Sequence, residues 1–178
     1  MKNVVICHCY GCAPDSNWFP WLRGELEKEG FVVRVPDFGQ ANVPDYHKWH
    51  GALESSLEGL QPDETILVGH SLGAALIPRF LGGWDKGPFK ATFLVAAPFD
   101  NVGWKVLQPF FDNSDLASSA GSKMGKLTLI NSDDDPYIPV DHADKYKDLF
   151  GGDIIVEHAM EHIWQSTYPR LKDLILST

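Results

Sequence analysis

The apolar run Thr65-Ile66-Leu67-Val68 passes directly into Gly69-His70-Ser71-Leu72-Gly73 and then into the small residues Ala74 and Ala75. This order of β-rich run, glycine-flanked serine and helix-compatible stretch constrains the fold more than any other feature of the chain. A strand that becomes a helix within one or two residues must bend sharply, and glycines at 69 and 73 let neighbouring backbone pass where a side chain would block it. Ser71 then stands at the head of a helix with its hydroxyl directed out of the sheet. The plainer alternative is a serine that caps a helix in a glycine turn.

The rest of the chain repeats the strand-then-helix alternation. Short apolar runs recur at Val4 to Cys7, Phe31 to Val35, Thr65 to Val68, Ala91 to Ala96, Leu127 to Ile130 and Ile154 to Val156. Between them Trp18, Leu22 and Leu26, then Tyr46, Trp49, Leu53, Leu57 and Leu60, step by three or four and mark apolar helix faces. Near-continuous apolar strands alternating with amphipathic helices predict an α/β fold. The expected architecture is a compact, mostly parallel sheet of about six strands, covered by helices on both faces, with residues 1–178 as one domain. Gly30 and Gly151-Gly152 are placed to end helices, and Pro169 to begin the last one. In such sheets ligands bind beyond the carboxyl ends of the strands.

Composition fits a packed soluble domain: of 178 residues, 44% are hydrophobic and 22% charged. A formal net charge of -9 repels phosphate backbones and anionic lipid, which argues against nucleic-acid and membrane-surface partners. No apolar run approaches the length of a membrane span, and the chain opens directly with the strand-like Lys2-Asn3-Val4-Val5-Ile6; a cytoplasmic protein is expected. The three cysteines, Cys7, Cys9 and Cys12, are too few and too local for a secreted framework, so reduced thiols are expected. With His8 among them they could suggest a metal site, but no second ligand pair follows and none is expected.

A serine hydroxyl is a weak nucleophile at neutral pH, so chemistry at Ser71 needs a histidine base and an acid to orient it. In an α/β-hydrolase the acid follows a late strand. Here Leu127 to Ile130 leads into Asn131-Ser132-Asp133-Asp134-Asp135-Pro136, where three aspartates compete. Pro136 restricts Asp135 to an extended conformation, a way to aim its carboxylate, whereas Asp133 and Asp134 read more readily as a solvated turn. The histidine follows the last strand, and both His158 and His162 qualify; His162, at the far end of the loop, is better placed to reach back to Ser71. A developing oxyanion needs two backbone donors, one from Leu72 and a second from Tyr10 or Cys9 in the loop after the first strand.

Taken with the segment Asn17-Trp18-Phe19-Pro20-Trp21-Leu22, these motifs resemble, nearly end to end, the small serine hydrolases related to retinoblastoma-binding protein nine and to bacterial YdeN-like proteins. In that family the acid is the aspartate directly before proline, which maps to Asp135, and the loop histidine maps to His162. The resemblance implies a compact α/β-hydrolase fold and carboxylic-ester hydrolysis without a cofactor. Only about 30 residues separate the strand ending near Ala96 from the one beginning near Leu127, room for a short helix around Trp104 to Phe111 but not for a large lid. Trp18, Phe99, Trp104 and Trp164 are the aromatics expected to line an apolar acyl pocket.

The leading expectation is a serine hydrolase acting on a small ester or otherwise acylated substrate, with no metal and no cofactor. A protein of the same fold that binds without catalysis, and a redox or metal protein built on Cys7, Cys9 and Cys12, are the competing classes. No feature of the sequence points to a particular protein partner.

Overall fold

Six strands lie side by side in one sheet, each parallel to its neighbours. In the computed structural model, which describes residues 2–39 and 42–178, they are β1 (Asn3–Cys7), β2 (Val32–Arg34), β3 (Thr65–His70), β4 (Ala91–Val95), β5 (Lys126–Ser132) and β6 (Asp153–Glu157). Their spatial order is β2-β1-β3-β4-β5-β6. The chain moves outward from β1 to β2, then crosses back to place β3 on the other side of β1. Parallel neighbours that leave in opposite directions open a crevice at their carboxyl ends, and here it falls between β1 and β3.

Side-chain alternation along the strands divides the apolar core in two. Val4 and Ile6 of β1, Ile66 and Val68 of β3 and Phe93 of β4 face α1 (Phe19–Lys28) and α6 (Pro169–Leu176). Val5, Cys7, Leu67, Leu94 and Leu129 face the opposite layer of α2 (Tyr46–Ser56), α3 (Leu72–Leu81) and α5 (His142–Phe150). Both faces are covered, as the apolar strands require. Helix α3 is buried at every position, which explains why its sequence is apolar apart from Arg79, whose guanidinium donates to the Ala75 and Phe99 carbonyls.

Local signals set most boundaries. Asp45 caps α2 by accepting from the His47 and Lys48 backbone N–H groups at 3.0 and 3.2 Å. Gly151, at φ +74, ends α5. The connection from β4 to β5 carries only two 3-10 turns, Lys105–Leu107 and Ser118–Lys123, and the five-residue α4 (Gln108–Asp112). Among the described residues no large lid covers the sheet edge above the crevice. Among the described residues no helix is long and apolar enough to cross a membrane.

The junction of β1 with α3 is one of the tightest points of the fold. A Cβ added at Gly73 would run into the backbone carbonyl oxygens of Cys7 and His8. Backbone cannot swing aside as a side chain can, so Gly73→Ala should lower unfolding free energy by about 2 kcal/mol or more. Gly51→Ala is the control, because it sits in α2 with open space around it; about 0.5–1 kcal/mol of stabilisation is expected there. Urea unfolding of the two variants beside the parent chain measures both.

Candidate active site

Ser71 sits between β3 and α3 with φ +53 and ψ −123, left-handed territory that a residue with a side chain occupies only when its surroundings hold it there. Its N–H donates to the Val95 carbonyl of β4 at 2.8 Å, and its own carbonyl accepts from Ala74 at 2.9 Å as α3 begins. At Gly69 a Cβ would strike the Ala74 backbone, so the motif's first glycine permits the turn and its second the packing. Leu72 opens α3, and its N–H is one of the helix-start donors that intrahelical bonding leaves over.

Each of the three competing aspartates takes hold of the loop after β6. Asp133 meets His158 Nδ1 at 2.6 Å, and Asp134 accepts from the Glu161 N–H at 2.8 Å. Asp135 meets His162 Nδ1 at 2.8 Å through Oδ2, while Oδ1 accepts from the Tyr137 and Ile138 N–H groups at 2.8 and 3.0 Å. The hydroxyl of Ser132 donates to Asp134 at 2.6 Å and accepts from the Met160 N–H at 3.1 Å. Asp133 and Asp134 do form an exposed turn, and with Asp135 that turn also clasps a second loop.

Two histidine–aspartate pairs result, in very different surroundings. The His158 side chain is 81% exposed, whereas His162 is 10% exposed and Asp135 fully covered. Only the inner pair opens on the crevice. A cavity of about 310 Å³ there is lined by Ser71, Leu72 and His162, by Tyr10 and the rest of the 9–12 turn, and by Trp104 and Trp164. A carboxylate can only accept, so the Asp135 contact places a proton on His162 Nδ1 and leaves Nε2 as the basic nitrogen.

Three expectations need correction. Trp18 does not line the cavity; it is fully buried, packs edge-on to His70, and donates from its indole nitrogen to the Ile163 carbonyl at 2.8 Å. Its place at the start of α1 points it into the layer beneath the histidine loop. Phe99 also lies outside the cavity: its ring packs on Tyr146, and its N–H donates to His142 Nδ1 at 2.9 Å. Cys9 and Cys12, expected as thiols, are joined in a disulfide. Gly11 at φ +71 folds the four-residue turn back and brings the two Cα atoms to 5.2 Å, within bridging range. Cys7 remains a free thiol, and burial pushes its pKa far up.

Both ring nitrogens of His8 are engaged in hydrogen bonds. Its Nδ1–H donates to the Cys9 carbonyl and its Nε2 accepts from the Phe38 N–H. Among the described residues no three His, Cys, Asp or Glu side chains gather as a ligand set.

Sequence reasoning passed over two residues. His70, the variable position of the motif, is fully buried and donates from Nε2 to the His162 carbonyl at 2.8 Å. A histidine on a strand covered on both faces has to be buried and bonded, which was the available signal. Tyr137 lies two residues beyond Asp135, and its ring meets that of His162 edge-on at 5.2 Å.

Burial, with the nearby His162 adding to it, holds His70 down to about 3. The unfolded chain, with an ordinary histidine pKa near 6.5, takes up the proton first as pH falls. Stability from this residue is complete above about pH 6.5 and is lost progressively toward pH 3, at up to about 1.4 kcal/mol per pH unit. Denaturant unfolding measured from pH 7.5 to 5 should show a shallower pH dependence in His70→Gln, whose amide can still donate to the His162 carbonyl.

The family model described as serine hydrolase matches residues 4–171. The protein YdeN of Bacillus subtilis (strain 168) is 34% identical over 80 residues, a stretch covering 45% of this chain and 42% of YdeN. The crystal structure of the ydeN gene product from B. subtilis matches with a TM-score of 0.89 at 22% identity, over 99% of this chain and 98% of that one. The esterase domain of a Rhodothermus marinus protein matches with a TM-score of 0.68 at 16% identity, over 92% and 79%. At those identities the two structures speak to the fold, that of an α/β-hydrolase. The family match runs from β1 into α6 and takes in the serine elbow, the aspartate clasp and the histidine loop: this chain belongs to the serine hydrolase family.

Proposed function

We propose that the chain hydrolyses small carboxylic esters, with thioesters and amides as chemical relatives, through an acyl-enzyme. Ser71 is the nucleophile, His162 the general base and then acid, and Asp135 the carboxylate that orients it. The observation that carries this reading is that His162, held by the covered Asp135, and the backbone-strained Ser71 line one cavity.

In acylation the Ser71 Oγ attacks the carbonyl carbon as its proton passes to His162 Nε2. The carbonyl π electrons move onto oxygen, where the Leu72 N–H and a backbone N–H of the turn after β1, from Tyr10 or Cys9, receive the charge. Collapse of this intermediate breaks the bond to the alcohol oxygen, which takes the proton from Nε2. Water repeats the sequence on the acyl-enzyme and releases the acid. Because His70 stays neutral, the imidazolium formed on His162 faces no second cation across the 5.1 Å between the two rings. The charge instead meets Asp135.

Fluorophosphonate labelling followed by peptide mass spectrometry tests the nucleophile. The adduct should map to Ser71 and vanish in Ser71→Ala; an adduct on another serine, or undiminished ester turnover in the variant, refutes the assignment. His162→Ala should lower kcat by roughly 10³-fold or more, and Asp135→Asn by a comparable or smaller factor. His158→Ala and Asp133→Asn should be mild, since their pair lies outside the cavity and asparagine keeps an acceptor oxygen for the Ala159 N–H while Asp134, Ser132 and Asp135 still hold the loop.

Acyl-chain length gives a further test. Without a large lid, walls exist for only a few methylenes, each worth about 0.8 kcal/mol while it is covered. Across p-nitrophenyl esters, kcat/KM should peak at roughly two to six carbons and then flatten or fall. A steady rise into long chains, or a jump above the micelle threshold, contradicts this.

A further inference from the structure

Four aromatic rings stand in sequence around the mouth of the cavity, each edge-on to the next. Tyr10 meets Trp104 at 6.0 Å, Trp104 meets Tyr137 at 5.7 Å, and Tyr137 meets Trp164 at 5.5 Å. Trp104, Tyr137 and Trp164 are 40%, 38% and 41% exposed, a costly way to present large apolar rings unless something covers them.

Their position relative to the histidine decides which part of a substrate they meet. In acyl transfer the alcohol oxygen must come to the imidazole nitrogen that protonates it, so the alcohol portion lies on the histidine side. The acyl substituent extends away from it. Tyr137 lies edge-on to His162 at 5.2 Å and Trp164 at 6.0 Å, so these two rings flank the histidine itself. Both are held. The Trp164 indole donates to Glu161 Oε2 at 2.8 Å, and the Tyr137 backbone is gripped by Asp135. Glu161 is in turn tied through its N–H to Asp134. The clasp that positions the histidine thus also builds a rigid shelf, and little ordering remains for a substrate to impose.

From this we infer that the site selects esters whose alcohol portion carries a planar aromatic ring, which packs on the shelf of Tyr137 and Trp164 while a short acyl group occupies the cavity. This rests on the ester-hydrolase reading above and adds the leaving-group class to it. Since the acyl-enzyme has already lost the alcohol, the preference acts on acylation and belongs to kcat/KM. Where deacylation limits turnover, kcat for two esters of the same acid converges.

Benzyl butanoate and ethyl butanoate share an acyl group and differ at the shelf; ethyl phenylacetate puts the ring on the acyl side. The parent chain should favour benzyl over ethyl butanoate in kcat/KM by about tenfold. Trp164→Ala should cut that ratio by roughly fivefold, with Tyr137→Ala in the same direction, and Trp164→Phe should keep it within about twofold. The intrinsic reactivity of the two esters is the same for every variant, so a change in the ratio reads the shelf. The ratio of ethyl phenylacetate to ethyl butanoate should stay nearly constant across the variants. An unchanged benzyl-to-ethyl ratio in Trp164→Ala, or a shift confined to the acyl-side pair, overturns the inference while the hydrolase reading stands. If the parent chain turns over none of the three esters and Ser71 takes no fluorophosphonate, the hydrolase reading falls and the inference with it.

Discussion

The grip of Asp133, Asp134 and Asp135 on the loop after β6 is the interaction on which the rest of the site depends. That loop holds Ala159, Glu161 and Ile163 at positive φ, conformations that cost roughly 1–2 kcal/mol per residue. It has no helix or strand of its own to stabilise it between β6 and α6. What offsets the cost is hydrogen bonding: the Ala159 and Glu161 N–H groups reach the aspartates, the Met160 N–H reaches Ser132, and the Ile163 N–H closes a turn onto Met160. Carboxylate acceptors make these bonds stronger than neutral ones. The position of His162 follows from the whole clasp, of which its own aspartate is one member.

The loop is also fastened from below. Trp18 takes the Ile163 carbonyl and His70 the His162 carbonyl, so the residue preceding Ser71 and the start of α1 both pull on the segment that carries His162. Complete burial keeps His70 uncharged while it makes this bond. Backbone strain at Ser71 is secured in the same manner, by β4 on one side and by the close approach of α3 to the end of β1 on the other. Precision at the crevice comes from contacts that themselves perform no chemistry.

Much of this was legible one element at a time. The apolar runs marked the six strands, Gly30 and Gly151 marked helix ends, and the serine elbow was readable because strand, turn and helix are neighbours in sequence. The preference for Asp135 and His162 followed from Pro136 and from loop order. Pairwise tertiary facts were harder to see. Asp133 and Asp134 read rightly as an exposed turn, but their hold on the histidine loop was hidden because those partners lie more than twenty residues away; Trp18 and Phe99 looked like pocket aromatics because a position on a loop does not say which way the ring turns. The Cys9–Cys12 turn was misread because its pairing depends on local backbone curvature at Gly11, which composition and compartment arguments do not address.

The sequence by itself determined the α/β architecture, and it singled out the carboxyl edge of the sheet and the Ser71 turn as the candidate site, since periodicity and short-range stereochemistry govern all three. Tertiary structure decided which histidine–aspartate pair is covered and which is exposed. It also turned Trp18 inward, left Trp164 at the mouth beside Tyr137, and bound the acidic run to the histidine loop. These outcomes depend on where segments far apart in the chain meet, and burial, which fixes the worth of a carboxylate or an aromatic ring, exists only once they have met.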